Sequence, residues 1–354
     1  KGNYAMVSPN SHVNMAQSTN DVFPTANRIA MINMLKTLKE SLENLHDAFI
    51  EKGKAFKPLL KMGRTHLQDA VPITLGQEFE AYATVLKRDL ARIEQAEAYL
   101  YEMNLGGTAV GTGLNANPDY IEKVAEFLRE NSGIPFRTAE NLIDATQNTD
   151  AYTGLSSALK ICMLNVSKVA NDLRLMSSGP RVGLSEISLP GVQAGSSIMP
   201  GKVNPVMAEV VNQVAFQVVG NDQTVSIASE AGQFELNVME PVLVHNILES
   251  IKVMTNVFNV FRTKCVEGIE ANEAQLEAYM NQSIGIITAI NPHIGYEKAT
   301  EIAREAFVTG KPVRQVCLEK QVLTEDELDQ ILNPHEMTKP GIAAEELLKA
   351  RQSK

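Results

Sequence analysis

From Pro24 to Lys52 the chain contains no glycine and no second proline, and apolar residues recur at Ile29, Ile32, Leu35, Leu38, Leu42, Leu45 and Phe49. Spacings of three and four are the period of one face of an α-helix. Further stretches read the same way: Leu75 to about Asn104, Pro118 to Glu130, Ala139 to Ser177, Pro205 to Ala231 and Pro241 to Cys265. In the stretch from Ala139 to Ser177, apolar residues occupy more than one face, as in a helix buried at the centre of a bundle. Most of these stretches far exceed the usual helix of about 11 or 12 residues. Helices so long must pack on one another along their length, and a bundle is the economical solution. The expected fold is therefore all-α. Aromatic residues at 5% and the absence of Trp suit helices better than sheets.

The pattern changes after Gly268. Shorter helical pieces follow, punctuated by Pro292, Gly295, Gly310, Pro312 and Pro334. Thr324 and Glu327 have the spacing of a capping box. The reading is two domains: a long-helix bundle over 1–268 carrying the loops, and a small helical carboxy-terminal domain over 269–354.

A net charge of −10 disfavours a nucleic-acid surface, which needs clustered Lys and Arg. No apolar run reaches the roughly 20 residues of a membrane span. Cys162, Cys265 and Cys317 are odd in number and widely spaced, so they read as buried, inert thiols of a reducing, cytoplasmic compartment. No Cys, His or carboxylate spacing suggests a metal site. The opening Lys1-Gly2-Asn3-Tyr4 has neither an initiator Met nor a targeting pattern and reads as a cut inside a longer protein.

Four segments interrupt the helices with small polar residues. Ser18-Thr19-Asn20-Asp21, with Ser8 to His12 before it, fits a helix amino-terminal cap ahead of Pro24. Its donors also suit an anionic group. Gly63-Arg64-Thr65-His66-Leu67-Gln68 reads as a loop bounded by Gly63 and Pro72, with polar side chains free to face a cleft. The run Gly106-Gly107-Thr108-Ala109-Val110-Gly111-Thr112-Gly113 lacks the spacing and the preceding strand of a dinucleotide loop. It reads as a tight connection with glycines at positive φ. The fourth, Gly195-Ser196-Ser197-Ile198-Met199-Pro200-Gly201-Lys202-Val203-Asn204-Pro205, is a structured loop offering hydroxyls, an ammonium and an amide.

This last segment closely resembles the signature of the fumarase/aspartase superfamily. Ser18-Thr19-Asn20, Gly63-Arg64-Thr65-His66, Gly107-Thr108-Ala109-Val110-Gly111 and Asn291-Pro292-His293-Ile294-Gly295 resemble other motifs of that family. Pro205 to Val214 and Asn237 to Pro241 are more similar to the aspartase versions than to the fumarase ones. The resemblance implies a homotetramer whose long helices form one bundle, with each active site shared by three subunits. It implies β-elimination that releases fumarate, here from L-aspartate, with class II fumarase or a non-catalytic structural relative as the alternatives. No cofactor is implied. Members carry a further amino-terminal region contributing to the pocket, which leaves open whether this stretch is active alone.

Residue roles come from the same resemblance. Ser196 is the base, in a loop whose glycines let it close as a lid. Lys202 and Asn204 bind one substrate carboxylate. Ser18, Thr19 and Ser197 hold the carboxylate that becomes the enediolate. Asn20, Thr65 and His66 surround the amino end, and Glu209 pairs with His66.

Overall fold

A computed structural model of the chain describes residues 2–193, 195 and 198–352. As far as Lys264 its helices are α1 (Thr19–Ala55), α2 (Leu75–Ala98), α3 (Pro118–Ser132), the short α4 (Leu142–Gln147), α5 (Asp150–Met176), α6 (Val206–Glu230) and α7 (Glu240–Lys264). Shorter helices close the chain: α8 (Glu273–Gln282), α9 (Ile287–Ile294), α10 (Tyr296–Thr309), α11 (Val313–Glu319), α12 (Glu325–Ile331), α13 (Pro334–Met337) and α14 (Glu345–Gln352). Strands among the described residues form two-stranded pairs only. β1 (Leu60–Thr65) and β2 (Gln68–Thr74) make an antiparallel hairpin. β3 (Glu102–Met103) lies parallel to β4 (Arg137–Thr138), and β5 (Ile187–Ser188) antiparallel to β6 (Glu270–Ala271). The fold is all-α in the sense expected. No helix among the described residues is long and apolar enough to cross a membrane.

The expected stripe of α1 is its core face from Ile32 on: Ile32, Leu35, Leu38, Leu42, Leu45 and Phe49 are all buried, and Ile29 is half-buried. The helix nonetheless starts at Thr19, ahead of Pro24. A proline inside a helix has no N–H for the carbonyl four residues earlier. That carbonyl belongs to Asn20, and it accepts instead from Asn104 Nδ2 at 2.9 Å. The tertiary contact makes Pro24 tolerable.

Two helix boundaries differ from the sequence reading. α2 stops at Ala98 rather than near Asn104, because Glu102 and Met103 are drawn into pairing with β4. The stretch from Ala139 to Ser177 is two helices, broken at Asn148 and Thr149. Asn148 is extended, and buried Thr149 shares a hydrogen bond with Ser229 Oγ at 2.7 Å. Asn and Thr compete for local hydrogen bonds without announcing a break as Pro or Gly does.

Contacts group the chain into two compact units. The first comprises residues 1–46, 84–172 and 192–265, and the second 47–83, 173–191 and 266–354. The second unit therefore collects two segments that lie, in sequence, inside the stretch read as the bundle.

In the first unit α6 and α7 fold back on each other, with Asn221 Nδ2 donating to Ser250 Oγ at 3.0 Å. Buried polar pairs tie α5 to α6: Asn212 Nδ2 donates to Ser167 Oγ at 2.8 Å, and Ser156 Oγ to Asp222 Oδ1 at 2.8 Å. The second unit has an aromatic cluster of Phe49, Phe56, Phe79 and Tyr82. A separate aliphatic core includes Met62, Ile290, Ile302, Val316, Leu328 and Ile331. The Thr324–Glu327 capping box forms as read.

One carboxylate organises the start of α1. Asp21, fully buried, accepts from Ser18 N through Oδ1 at 2.9 Å, and from Gly106 N and Thr108 N through Oδ2 at 3.1 and 3.0 Å. Asp21→Ala should strand these backbone donors and cost about 3 kcal/mol, read as a lower urea midpoint. Asp21→Asn should cost less, since an amide oxygen remains.

At the start of α7, Glu240 is 7% exposed, and Arg28 is buried over the Tyr152 ring. Burial pushes the Glu240 carboxyl up to about 7 despite the opposing charge of Arg28. Below the unfolded-state value of about 4.3 both states hold the proton, and above the folded value both have lost it. Between them the unfolded chain binds fewer protons, so this group lowers stability as pH rises through that window. Glu240→Gln removes the penalty. Its stability relative to the parent should rise by about 2–3 kcal/mol between about pH 5 and pH 8, measured by urea melts at both values.

Candidate active site

The first polar segment is a helix cap, as its composition suggests. The Ser18 carbonyl accepts from Asp21 N and Val22 N, and its Oγ accepts from Asn20 N at 3.2 Å. The hydroxyl hydrogen stays free to donate. Asn20 Nδ2 donates to the Ala109 carbonyl at 2.7 Å, and Asn104 Nδ2 reaches both the Asn20 carbonyl and Thr146 Oγ1. Ser18, Thr19 and Asn20 are thus stitched to the glycine-rich run within the first unit. That run is the tight connection expected. Gly106, Gly111 and Gly113 have φ of 96, 88 and 72°. A Cβ on Gly111 would lie 2.4 Å from the Ile143 Cα.

The second segment is a correction to the sequence reading: Gly63 to Pro72 is the β1–β2 hairpin, not a loop. Thr65 pairs with Gln68, and His66 and Leu67 form the two-residue turn with φ of 55 and 60°. Positive φ at both central residues is the type I′ pattern, which favours Asn-Gly. His-Leu carries no such signal, so the turn was not legible. Thr65 and His66 stand exposed at its tip. Behind them Arg64 Nη1 meets Glu186 Oε1 at 2.6 Å.

The fourth segment, from Gly195 to Pro205, belongs to the first unit. Ser196 and Ser197, the expected base and its neighbour, lie outside the described residues, as does Ala194. A Cβ on Gly195 would sit 2.6 Å from the Lys202 carbonyl, so the ends of the loop approach closely. Gly201 has φ of 85°. Lys202 and Asn204 are exposed, and Glu209 is half-buried in the first turn of α6.

The structure therefore brings Ser18, Thr19 and Asn20 together, and Thr65 with His66. His66 belongs to the second unit and Glu209, Lys202 and Asn204 to the first. Asp21 and Arg64, named in the sequence only as members of their polar segments, and Asn104 and Glu186, given no role there, are the supporting residues. Asp21 had a usable signal, because Ser18 and Asp21 have capping spacing. Glu186 had none, since it stands far along the chain from its partners.

The thiols read as inert are free and buried. Burial raises all of them, Cys265 to about 12 and Cys317 to about 11. Among the described residues no group of His, Cys, Asp and Glu is gathered to hold a metal ion.

The family model described as "Lyase" matches residues 2–220, and that described as "Fumarase C C-terminus" matches residues 286–339. The chain is 63% identical over 348 residues to an aspartate ammonia-lyase of Bacillus subtilis (strain 168), covering 98% of this chain and 73% of that one. It is 52% identical over 340 residues to an aspartate ammonia-lyase of Helicobacter pylori (strain ATCC 700392 / 26695), covering 96% and 73%. Among solved structures, a fumarate lyase:delta crystallin from Brucella melitensis bound to cobalt superposes with a TM-score of 0.93 at 48% identity, covering 96% and 74%. Recombinant class II fumarase from Schistosoma mansoni superposes at 0.85 and 36% identity, covering 94% and 73%. By these matches the chain belongs to the lyase family shared by aspartate ammonia-lyases and class II fumarases.

Proposed function

We propose that this chain is an aspartate ammonia-lyase, catalysing reversible deamination of L-aspartate to fumarate and ammonia. The observation that carries the reading is the extent of identity to aspartate ammonia-lyases over nearly the whole chain. Ser196, as an alkoxide, takes the proton from the carbon next to one carboxylate. The electron pair left behind delocalises into that carboxylate as an enediolate, held by Ser18, Thr19 and Ser197. Collapse of the enediolate forms the carbon–carbon double bond and expels ammonia. Lys202 and Asn204 bind a carboxylate, and Asn20, Thr65 and His66 surround the amino end. Glu209 sets the His66 tautomer.

The oligomer is part of the same reading: a cytoplasmic homotetramer with each site shared by three subunits. The surface of α6 supports it. Phe216 is 70% exposed, and Val210, Val219 and Ile227 are exposed beside it. A long helix apolar on its outer face needs a further layer to cover it. The exposed positions of Thr19, Thr65, His66, Lys202 and Asn204 in a single chain fit a pocket that other subunits complete. Within each chain, 1–268 is the bundle domain and 269–354 the carboxy-terminal domain, the latter containing the matched fumarase C segment.

Fumarate formation, followed by ultraviolet absorbance, should be rapid with aspartate and very slow with malate. A site that satisfies an ammonium leaves polar groups unpaired around a hydroxyl. Ser196→Ala should lose turnover while binding aspartate within about tenfold of the parent. Comparable rates on malate would make the enzyme a fumarase, and a near-normal kcat would remove Ser196 as the base.

Sharing of sites has its own test. His66→Ala and Ser196→Ala, each inactive, are dissociated, mixed and reassembled. Mixed tetramers should contain sites with both native residues and regain activity. Continued inactivity, with tetramers shown by light scattering, would mean that one subunit carries each site.

A further inference from the structure

Type I′ geometry places both His66 and Leu67 in the left-handed region at φ of 55 and 60°. Residues with a β-carbon stay there only when their surroundings over-determine the backbone. The tip itself is exposed, so the restraint has to come from the strands beneath it.

Those strands are anchored by buried charge. Glu186 is 0% exposed, and its carboxylate lies 2.6 Å from Arg64 Nη1 through Oε1 and 3.2 Å from Lys61 Nζ through Oε2. Lys61 is itself buried and also reaches Glu78 Oε2 at 2.5 Å. Two cations thus face two carboxylates, and removal of one partner leaves a buried charge uncompensated. Arg64 further lies over the Tyr279 ring at 5.6 Å.

Both cations come from β1, and they are an odd number of positions apart. On a flat strand such residues point to opposite faces. Here the ladder is irregular between Met62 and Arg64, and such bulges increase the local twist. Gly63 permits this, since a Cβ there would lie 2.7 Å from the Val71 carbonyl. Both side chains then reach one carboxylate.

Glu186 is a fixed post. Its N–H donates to the Met176 carbonyl and its carbonyl accepts from Asn272 N, both at 2.9 Å. Ile187 beside it pairs with Ala271 in the β5–β6 ladder. On the other strand Ser283 Oγ donates to Asp69 Oδ2 at 2.8 Å. The chain is therefore held on both strands next to the turn, while the turn projects.

We propose that Glu186 is a positioning residue of the active site: by holding Arg64 it sets the hairpin tip that presents Thr65 and His66 to substrate. This rests on the reading that Thr65 and His66 belong to the substrate site. Glu186 itself is sealed in the interior and acts through the β1 cations, Arg64 first and Lys61 beside it.

The test uses Glu186→Gln, which keeps the shape and removes the charge, in the assembled enzyme with aspartate. Loss of His66 placement should lower kcat/KM by at least about tenfold. Amide exchange of the peptide spanning residues 60–74 should rise while exchange in α6 and α7 stays unchanged. Combining it with Arg64→Gln should lower kcat/KM little further, because both changes break the Arg64–Glu186 contact. Arg64→Lys keeps the charge but loses the guanidinium fork, so it remains foldable and should show an intermediate loss. His66→Ala in the same assay separates the two readings. Normal activity of His66→Ala would overturn the placement of the tip at substrate. A strong loss in His66→Ala, with kcat/KM within about twofold of the parent in Glu186→Gln or Arg64→Lys, would overturn the role of Glu186.

Discussion

A helix as long as α1 must bury its apolar stripe from end to end, and polar chemistry is thereby displaced to its ends. Its 37 residues span roughly 55 Å at 1.5 Å per residue. From Ile32 to Phe49 the buried face is apolar apart from Ser41, whose Oγ accepts from Asn259 Nδ2 at 3.0 Å. Ser18, Thr19 and Asn20 stand at its start, the β1–β2 hairpin follows its end, and Lys202 to Glu209 lead into α6. The candidate site is drawn wholly from these junctions.

Junctions of this kind require their own anchors, because no apolar stripe holds them. Asp21 gathers the backbone donors of the cap and the glycine-rich run. Asn104 takes up the carbonyl that Pro24 leaves unpaired. Glu186 takes up two cations from the hairpin. Each is a buried polar group that meets backbone donors, a stranded carbonyl or cations, and buried polar groups stabilise where such partners are supplied. The anchors are fully buried and the residues they support are largely exposed. That division lets a precise arrangement face solvent without being loose.

The same scaffold accounts for the range of the family. Class II fumarase superposes on this chain and aspartate ammonia-lyases share up to 63% of its sequence, yet the two are named for different chemistry. A bundle whose chemistry lies in its connections can change substrate there while its core packing stays the same.

The all-α class, most helix positions, the terminal capping box, the inert cysteines and the four polar segments were legible from the sequence. Each depends on local period or local spacing, which the order of residues contains. The candidate site residues were proposed through motif resemblance, and the cap at Ser18 was legible through composition. The turn at His66-Leu67 was not legible, because its positive φ is imposed by strands anchored from elsewhere rather than by glycine. The break at Thr149 was not legible either, because Ser229 and Asn237 enforce it from far along the chain. Glu186 was wholly invisible as an anchor: its value lies in being near Lys61 and Arg64, and proximity between residues so distant in sequence exists only once the chain has folded.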